Sequence, residues 1–196
     1  MDLERVRDNL TARGFETRIF PDGRAVVDYL NGAIDGVSVG FGGSVTLRQI
    51  GLFDALSAHN DAHWHWTGGP EQRLEAIRTE VYVSSVNGLA ETGEIVNIDG
   101  AGNRVAGTLF GHQRVYLIVG QNKIAPSLEE AVWRARNIAA PRNAQRLGVD
   151  TPCARNADRC YDCRSPQRIC RALAVLWGPT TGAVTEVLLV REDLGL

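Results

Sequence analysis

Apolar positions change their period repeatedly along the chain, and the changes mark an alternation of helices and strands. Leu3, Val6 and Leu10 share one face of a helix predicted over residues 2–13, with Glu4, Arg5 and Asp8 on the other face. Gly14 is placed to close it. Residues 15–20 alternate apolar and polar like a strand, and Pro21-Asp-Gly forms a turn. A short helix is predicted over 25–30. Within 36–44 a short apolar strand runs into a glycine-rich loop, and a helix over 45–56 opens near Ser44. A helix over 71–79 precedes a strand over 81–84. Residues 114–120 form an unbroken apolar run, as in a strand covered on both faces. A helix over 127–138 is capped by Ser127, with Glu129 and Glu130 at its positive end. Strand character returns over 184–191. The alternation predicts an α/β fold with a mostly parallel sheet flanked by helices.

Two stretches break the pattern. Residues 84–111 are rich in Gly and Asn, with one convincing strand over 95–98, and predict loops and a hairpin inserted among sheet strands. Residues 141–172 hold all four cysteines and seven arginines. This stretch is too short for a core of its own and predicts a small cysteine module embedded in a single domain spanning 1–196. The strand that follows places it between elements of the main sheet.

Composition narrows the function classes. Hydrophobic residues make up 44% and charged residues 22%, and the net charge is −2, which argues against a general nucleic-acid binder. The first residues carry mixed charge with no apolar core, and no apolar run reaches a membrane-spanning length. A cytoplasmic protein is expected, and in a reducing compartment clustered cysteines favour metal over disulfides. Cys153, Cys160, Cys163 and Cys170 are spaced C-x6-C-x2-C-x6-C. Four thiolates suit a [4Fe–4S] cluster, and zinc is the alternative metal. The spacing resembles the cluster loop of the helix-hairpin-helix DNA glycosylases, one residue longer at its last gap; only the ligand logic carries over. Arg155, Arg159, Arg164, Arg168 and Arg171 would offset thiolate charge.

Candidate small-molecule chemistry lies elsewhere. Gly42, Gly43 and Ser44 follow a strand and open a helix, where backbone can approach an anion; a simple tight turn fits equally. Thr46 adds a hydroxyl. Asn87, Glu91, Thr92, Asn97, Asp99, Asn103 and Arg104 crowd into one segment, and turn chemistry alone explains only the Asn and Asp residues. Lys123, beyond a strand end, could meet a carboxylate or phosphate or be a surface charge. His63 and His65 are spaced for metal binding from a strand, yet with Trp64 and Trp66 they also fit plain exposed–buried alternation, and no third ligand is close. Trp133 is expected in the core.

Asn87-x3-Glu91-Thr-Gly, Ile95-Val-Asn-Ile-Asp-Gly-x-Gly-Asn-Arg104, Val119-Gly-Gln-Asn-Lys123, Ala139-Ala-Pro-x-Asn143 and Thr151-Pro-Cys153 followed by Cys160-x2-Cys163 resemble the LUD domain family of LutC-like lactate-utilisation proteins. The match runs from about Val39 to the C-terminal Leu194-Gly and is strongest to stand-alone members with a cysteine motif. It implies a fold of the NagB, ribose-5-phosphate isomerase and CoA-transferase group. It also implies a link to oxidation of L-lactate or a related 2-hydroxy acid, with a redox protein partner. In the related CoA transferases a glutamate near a glycine-rich segment is the nucleophile, which makes Glu91 the candidate catalytic residue. Alternatives are a transferase or ligase acting on an anionic small molecule, such as an acyl-CoA, a phosphorylated compound or a folate, and a non-catalytic binding subunit. A homo-oligomer is left open.

Overall fold

The computed structural model describes residues 2–196. Six strands form a parallel sheet: β1 (Glu16–Phe20), β2 (Ser38–Phe41), β3 (Asp61–Trp64), β4 (Val81–Ser85), β7 (Arg114–Gly120) and β10 (Val184–Val190), in spatial order β1-β10-β7-β4-β2-β3. A second sheet, in order β8-β5-β6-β9, contains β5 (Gly88–Ala90), β6 (Ile95–Asp99), β8 (Ile124–Ala125) and β9 (Ala172–Leu176). The helices are α1 (Leu3–Ala12), α2 (Gly23–Ala33), α3 (Val45–Gln49), α4 (Leu52–Ser57), α5 (His65–Gly68), α6 (Gln72–Ile77), α7 (Asn103–Leu109), α8 (Leu128–Arg134), α9 (Ala140–Leu147) and α10 (Pro152–Asn156). None is long and apolar enough to cross a membrane.

The strand period of two builds the layers. On β7, Tyr116 and Ile118 face one side, where they pack with Val26 and Leu30 of α2, Leu47 of α3 and Leu52 and Leu56 of α4. Val115, Leu117 and Val119 face the other, where they meet Leu3, Val6 and Leu10 of α1 and Leu89 and Ile95 of the second sheet. The second sheet's outer face, with Val96 and Ala125, packs on Ala131 of α8 and on Ala135. β7 and the last six residues of β10 are almost wholly buried, which is why both are unbroken apolar runs.

The expected parallel sheet with flanking helices is present, and several boundaries differ. The helix expected over 45–56 breaks at Gly51, whose φ of 69° belongs to the left-handed region. Residues 84–111 carry two strands of a second sheet and the helix α7. The cysteine segment sits between α9 and a second-sheet strand, ahead of β10. Trp133 is 57% exposed, because α8 turns Ala131 and Arg134 inward instead. The helix expected to end at 138 continues to Leu147 through Pro141. Residues Ala135–Ala139 form a π turn joining α8 to α9, and Pro141 stands in the first turn of α9, where a missing N–H is tolerated.

Candidate functional site

Because the main sheet is parallel, the carboxyl ends of β2, β4 and β7 open on the same side, the usual place for a ligand crevice in an open α/β sheet. A cleft of about 510 Å³ lies there. Gly43 and Ser44 after β2, Ser85 and Asn87 at the end of β4, and Lys123 beyond β7 line it. Asp99, Asn103 and Arg104 at the β6–α7 junction close one wall, with Ala139, Ala140 and Asn143 around the π turn.

Lys123 is 3% exposed. Its Nζ donates to Thr46 Oγ1 (2.8 Å) and Ser85 Oγ (2.9 Å), and Ser85 donates in turn to the Ile118 carbonyl (2.6 Å). Burial pushes the ammonium pKa well below its ordinary value, and the nearby Arg134 and Arg104 push it the same way. Arg104 is half-buried and spread over acceptors: Nη2 donates to Asn97 Oδ1 (2.6 Å) and Asn87 Oδ1 (3.2 Å), and Nη1 to the Ile98 carbonyl (3.4 Å). Burial lowers its pKa although Asp99 favours the charge. Arg134, below the cleft, donates to the Asn122 carbonyl (2.8 Å) and the Asn87 carbonyl (2.6 Å); burial, then Arg142, bring its pKa down to about 10.

The cleft walls carry four cationic side chains, those of Arg73, Arg104, Lys123 and Arg146, against one side-chain carboxylate, Asp99. Asp99 Oδ2 is already occupied by the backbone N–H groups of Arg104 (2.7 Å) and Val105 (3.0 Å). Among the described residues none of the four cations, nor Arg134, takes part in an ion pair. The Nε–H groups of Arg73 and Arg104 and Nδ1 of His65 are buried without a protein partner. Unmatched buried donors of this kind call for an acceptor from outside the chain.

The model of the LUD domain matches residues 3–185. The chain belongs to the LUD domain family. Comparison with curated protein sequences gives no match. The fold is similar to that of a DUF162 family protein from Deinococcus radiodurans known from its crystal structure, with a TM-score of 0.57 and 14% identity over 96% of this chain and 95% of that one.

In this LUD domain the expected site residues separate into two groups. Gly43, Ser44, Asn87, Asn103, Arg104 and Lys123 line the cleft, and Asn97 supports Arg104 from beneath. Gly42 serves packing: a Cβ there would come within 2.4 Å of Ser84 Oγ, and its carbonyl accepts from Trp64 Nε1 (3.1 Å). Glu91 and Thr92 lie at the tip of the β5–β6 hairpin, which carries them away from the cleft toward α1. Glu91 pairs with Arg5 (3.1 Å), and Thr92 is exposed. The geometry therefore gives the expected catalytic glutamate no substrate to act on. His63 bonds Gln72 and Asp61, whereas His65, set aside as plain alternation, lines the cleft. Arg73 and Arg134 carry no sequence signal, since a helical arginine usually points to water. Lys123 does carry one: it is the sole lysine among 21 basic residues.

The four cysteines are free and partly exposed. Cys153 lies on α10, and its sulfur is 3.3 Å from Thr151 Oγ1. Cys160 and Cys170 share a cavity of about 230 Å³ with Arg136 and Arg168. Arg168 Nη2 donates to Cys170 Sγ (3.4 Å), Arg136 Nη2 to Cys160 Sγ (3.9 Å), and Asn137 Oδ1 accepts from the Cys160 N–H (3.1 Å). Among the described residues, no three His, Cys, Asp or Glu side chains are gathered as a metal site. The donor chemistry, soft sulfurs met by guanidinium groups, fits a thiolate-bound centre. Ile98 lines both this cavity and the cleft, so the two share a wall.

Proposed function

We propose that this LUD-domain protein binds a small carboxylate of the 2-hydroxy or 2-oxo acid class in the cleft, serving oxidation of L-lactate or a related 2-hydroxy acid. The observation carrying this reading is the surplus of buried, unpaired cations at the carboxyl end of the sheet. A carboxylate would accept from Arg104 and Arg73, and the neighbouring hydroxyl or carbonyl would lie by Lys123, Ser85 and Asn87. Cys153, Cys160, Cys163 and Cys170 would hold a [4Fe–4S] cluster, with Arg136 and Arg168 offsetting its charge. Such a cluster supplies one-electron transfer to a redox protein partner.

A second reading, a transferase acting on an acyl-CoA or phosphorylated compound, has its own support. A further cavity of about 500 Å³ adjoins the cleft and shares Trp66, Arg146 and Leu147 with it. The guanidinium groups of Arg48 and Arg146 lie 5.2 and 4.9 Å from the Trp66 ring centre, with room for a longer polyanion.

Thermal-shift and calorimetric titration with L-lactate, pyruvate, acetyl-CoA and a sugar phosphate separates the readings. The first expects saturable stabilisation by L-lactate or pyruvate, lost in Arg104→Met. A response confined to acetyl-CoA or the sugar phosphate favours the second, and no response to any of the four overturns both. Protein purified without oxygen should contain iron and sulfide and absorb broadly in the visible. Colourless protein with stoichiometric zinc would refute the electron-transfer role.

A further inference from the structure

We infer that Lys123 is a nucleophilic amine, forming an imine with the carbonyl carbon of a 2-oxo acid held in the cleft. The inference rests on the first reading above and adds covalent chemistry to it. Three observations carry it.

The first is residue choice. At every other basic position the chain uses arginine, and it uses lysine once, at a buried position lining the cleft. A fixed positive charge is better served by arginine, which stays protonated; only lysine offers a lone pair.

The second is hydrogen bonding. Ser85 gives its proton to the Ile118 carbonyl, and Thr46 faces the Leu194 carbonyl (3.4 Å). Both hydroxyl oxygens are thus acceptors toward Lys123 Nζ. Two acceptors use the two protons of a neutral amine and leave its lone pair without a partner. An ammonium would instead leave a third proton unmatched, with no carboxylate near. Burial and the two arginines favour the neutral form.

The third is spacing. Arg104 and Lys123 flank one residue, Ser85: Arg104 Nη2 donates to its carbonyl (3.3 Å) and Lys123 to its hydroxyl. A 2-oxo acid carries its carboxylate and its electrophilic carbon on adjacent atoms. With the carboxylate at Arg104, the carbonyl carbon falls toward the amine. Room beside the amine is kept by Gly195, where a Cβ would stand 2.3 Å from Thr46 Oγ1 and 3.1 Å from Lys123 Nζ.

The step balances without an oxidant. The Nζ lone pair forms the C–N bond and the carbonyl π pair moves to oxygen. The two amine protons end on that oxygen, which leaves as water, and hydrolysis reverses the sequence. Ser85 and Thr46 touch the nitrogen and can relay its protons.

The test is reductive trapping. The folded protein is incubated with pyruvate and cyanoborohydride, digested and mapped by mass spectrometry, with pyruvate-induced thermal stabilisation measured on the same samples. We expect one reduced pyruvyl adduct per chain, on Lys123, saturating with pyruvate and absent from Lys123→Arg and Lys123→Met. Because Lys123 is the sole lysine, mapping on the unmodified sequence decides the matter even if a variant fails to fold. Stabilisation by pyruvate without an adduct on Lys123, or with one only on the α-amino group, overturns the imine and leaves the cleft reading standing. Neither stabilisation nor adduct overturns both.

Discussion

At the scale of single residues, Lys123 ties stability to pH. Its folded-state pKa lies below the ordinary 10.5, whereas the unfolded chain keeps the proton up to that value. Between the two the unfolded state binds one proton more, so stability should rise as pH increases through this window and level off above it. Below the lowered pKa the folded state carries the penalty of a buried ammonium. Lys123→Met should remove the rise, making the variant's advantage largest at low pH and shrinking toward pH 10.5. Denaturant midpoints of both proteins across the range check this, and a pH-independent difference would contradict it. Residues of this site differ in how openly the sequence announced them. Asn87, Asn103, Arg104 and Lys123 stood out because polar side chains next to apolar strand ends have few structural reasons to be there. Glu91 misled for a geometric reason: a tight β5–β6 hairpin turns its tip away from the cleft, and hairpin direction is set by sheet packing. The burial of Arg73 and Arg134 is likewise a property of the assembled layers, since nothing local separates them from solvated helix positions.

At the scale of elements, β6 and α7 depend on Asp99. Helix α7 starts at Gly102 with no side-chain cap of its own, and Asp99 supplies one from the preceding strand by accepting from the Arg104 and Val105 N–H groups. Asp99→Ala should cost roughly 1 kcal/mol through those orphaned donors. It should also weaken ligand binding, because the same turn positions Arg104. The fall in melting temperature and the loss of the lactate or pyruvate response check the two effects together. Buried parallel strands were the easiest elements to read, since residues 114–120 are apolar on both faces. The second sheet was hardest: β5 and β8 have three and two residues, too few to establish a period. Gly51 hid the break between α3 and α4, because an isolated glycine in an apolar helical pattern does not declare a left-handed φ.

At the scale of the whole molecule, the two ends of the parallel sheet treat charge in opposite ways. Toward the amino end, Glu186 is 1% exposed yet fully engaged: Arg18 donates to it at 2.8 Å, Arg114 at 3.1 Å and the Tyr29 hydroxyl at 2.9 Å. Toward the carboxyl end, Lys123 and Arg104 have no carboxylate. The first end is built for stability and the second for a ligand. Glu186→Gln should lower stability by about 1–3 kcal/mol and leave ligand affinity unchanged, as read by denaturant unfolding and by titration of the folded variant. The π turn at Ala135–Ala139 has a further consequence. It holds one residue more than an α-helical turn, and an α-helix advances about 100° per residue. Deleting that residue would keep the rod but change its phase, spinning everything after Ala139 by about 100° around the axis. Asn143 would leave the cleft wall, and the cysteine segment would be aimed away from β6. That single extra residue thus works as an angular setting, fixing the azimuth at which the sulfur-bearing part of the chain meets the cleft.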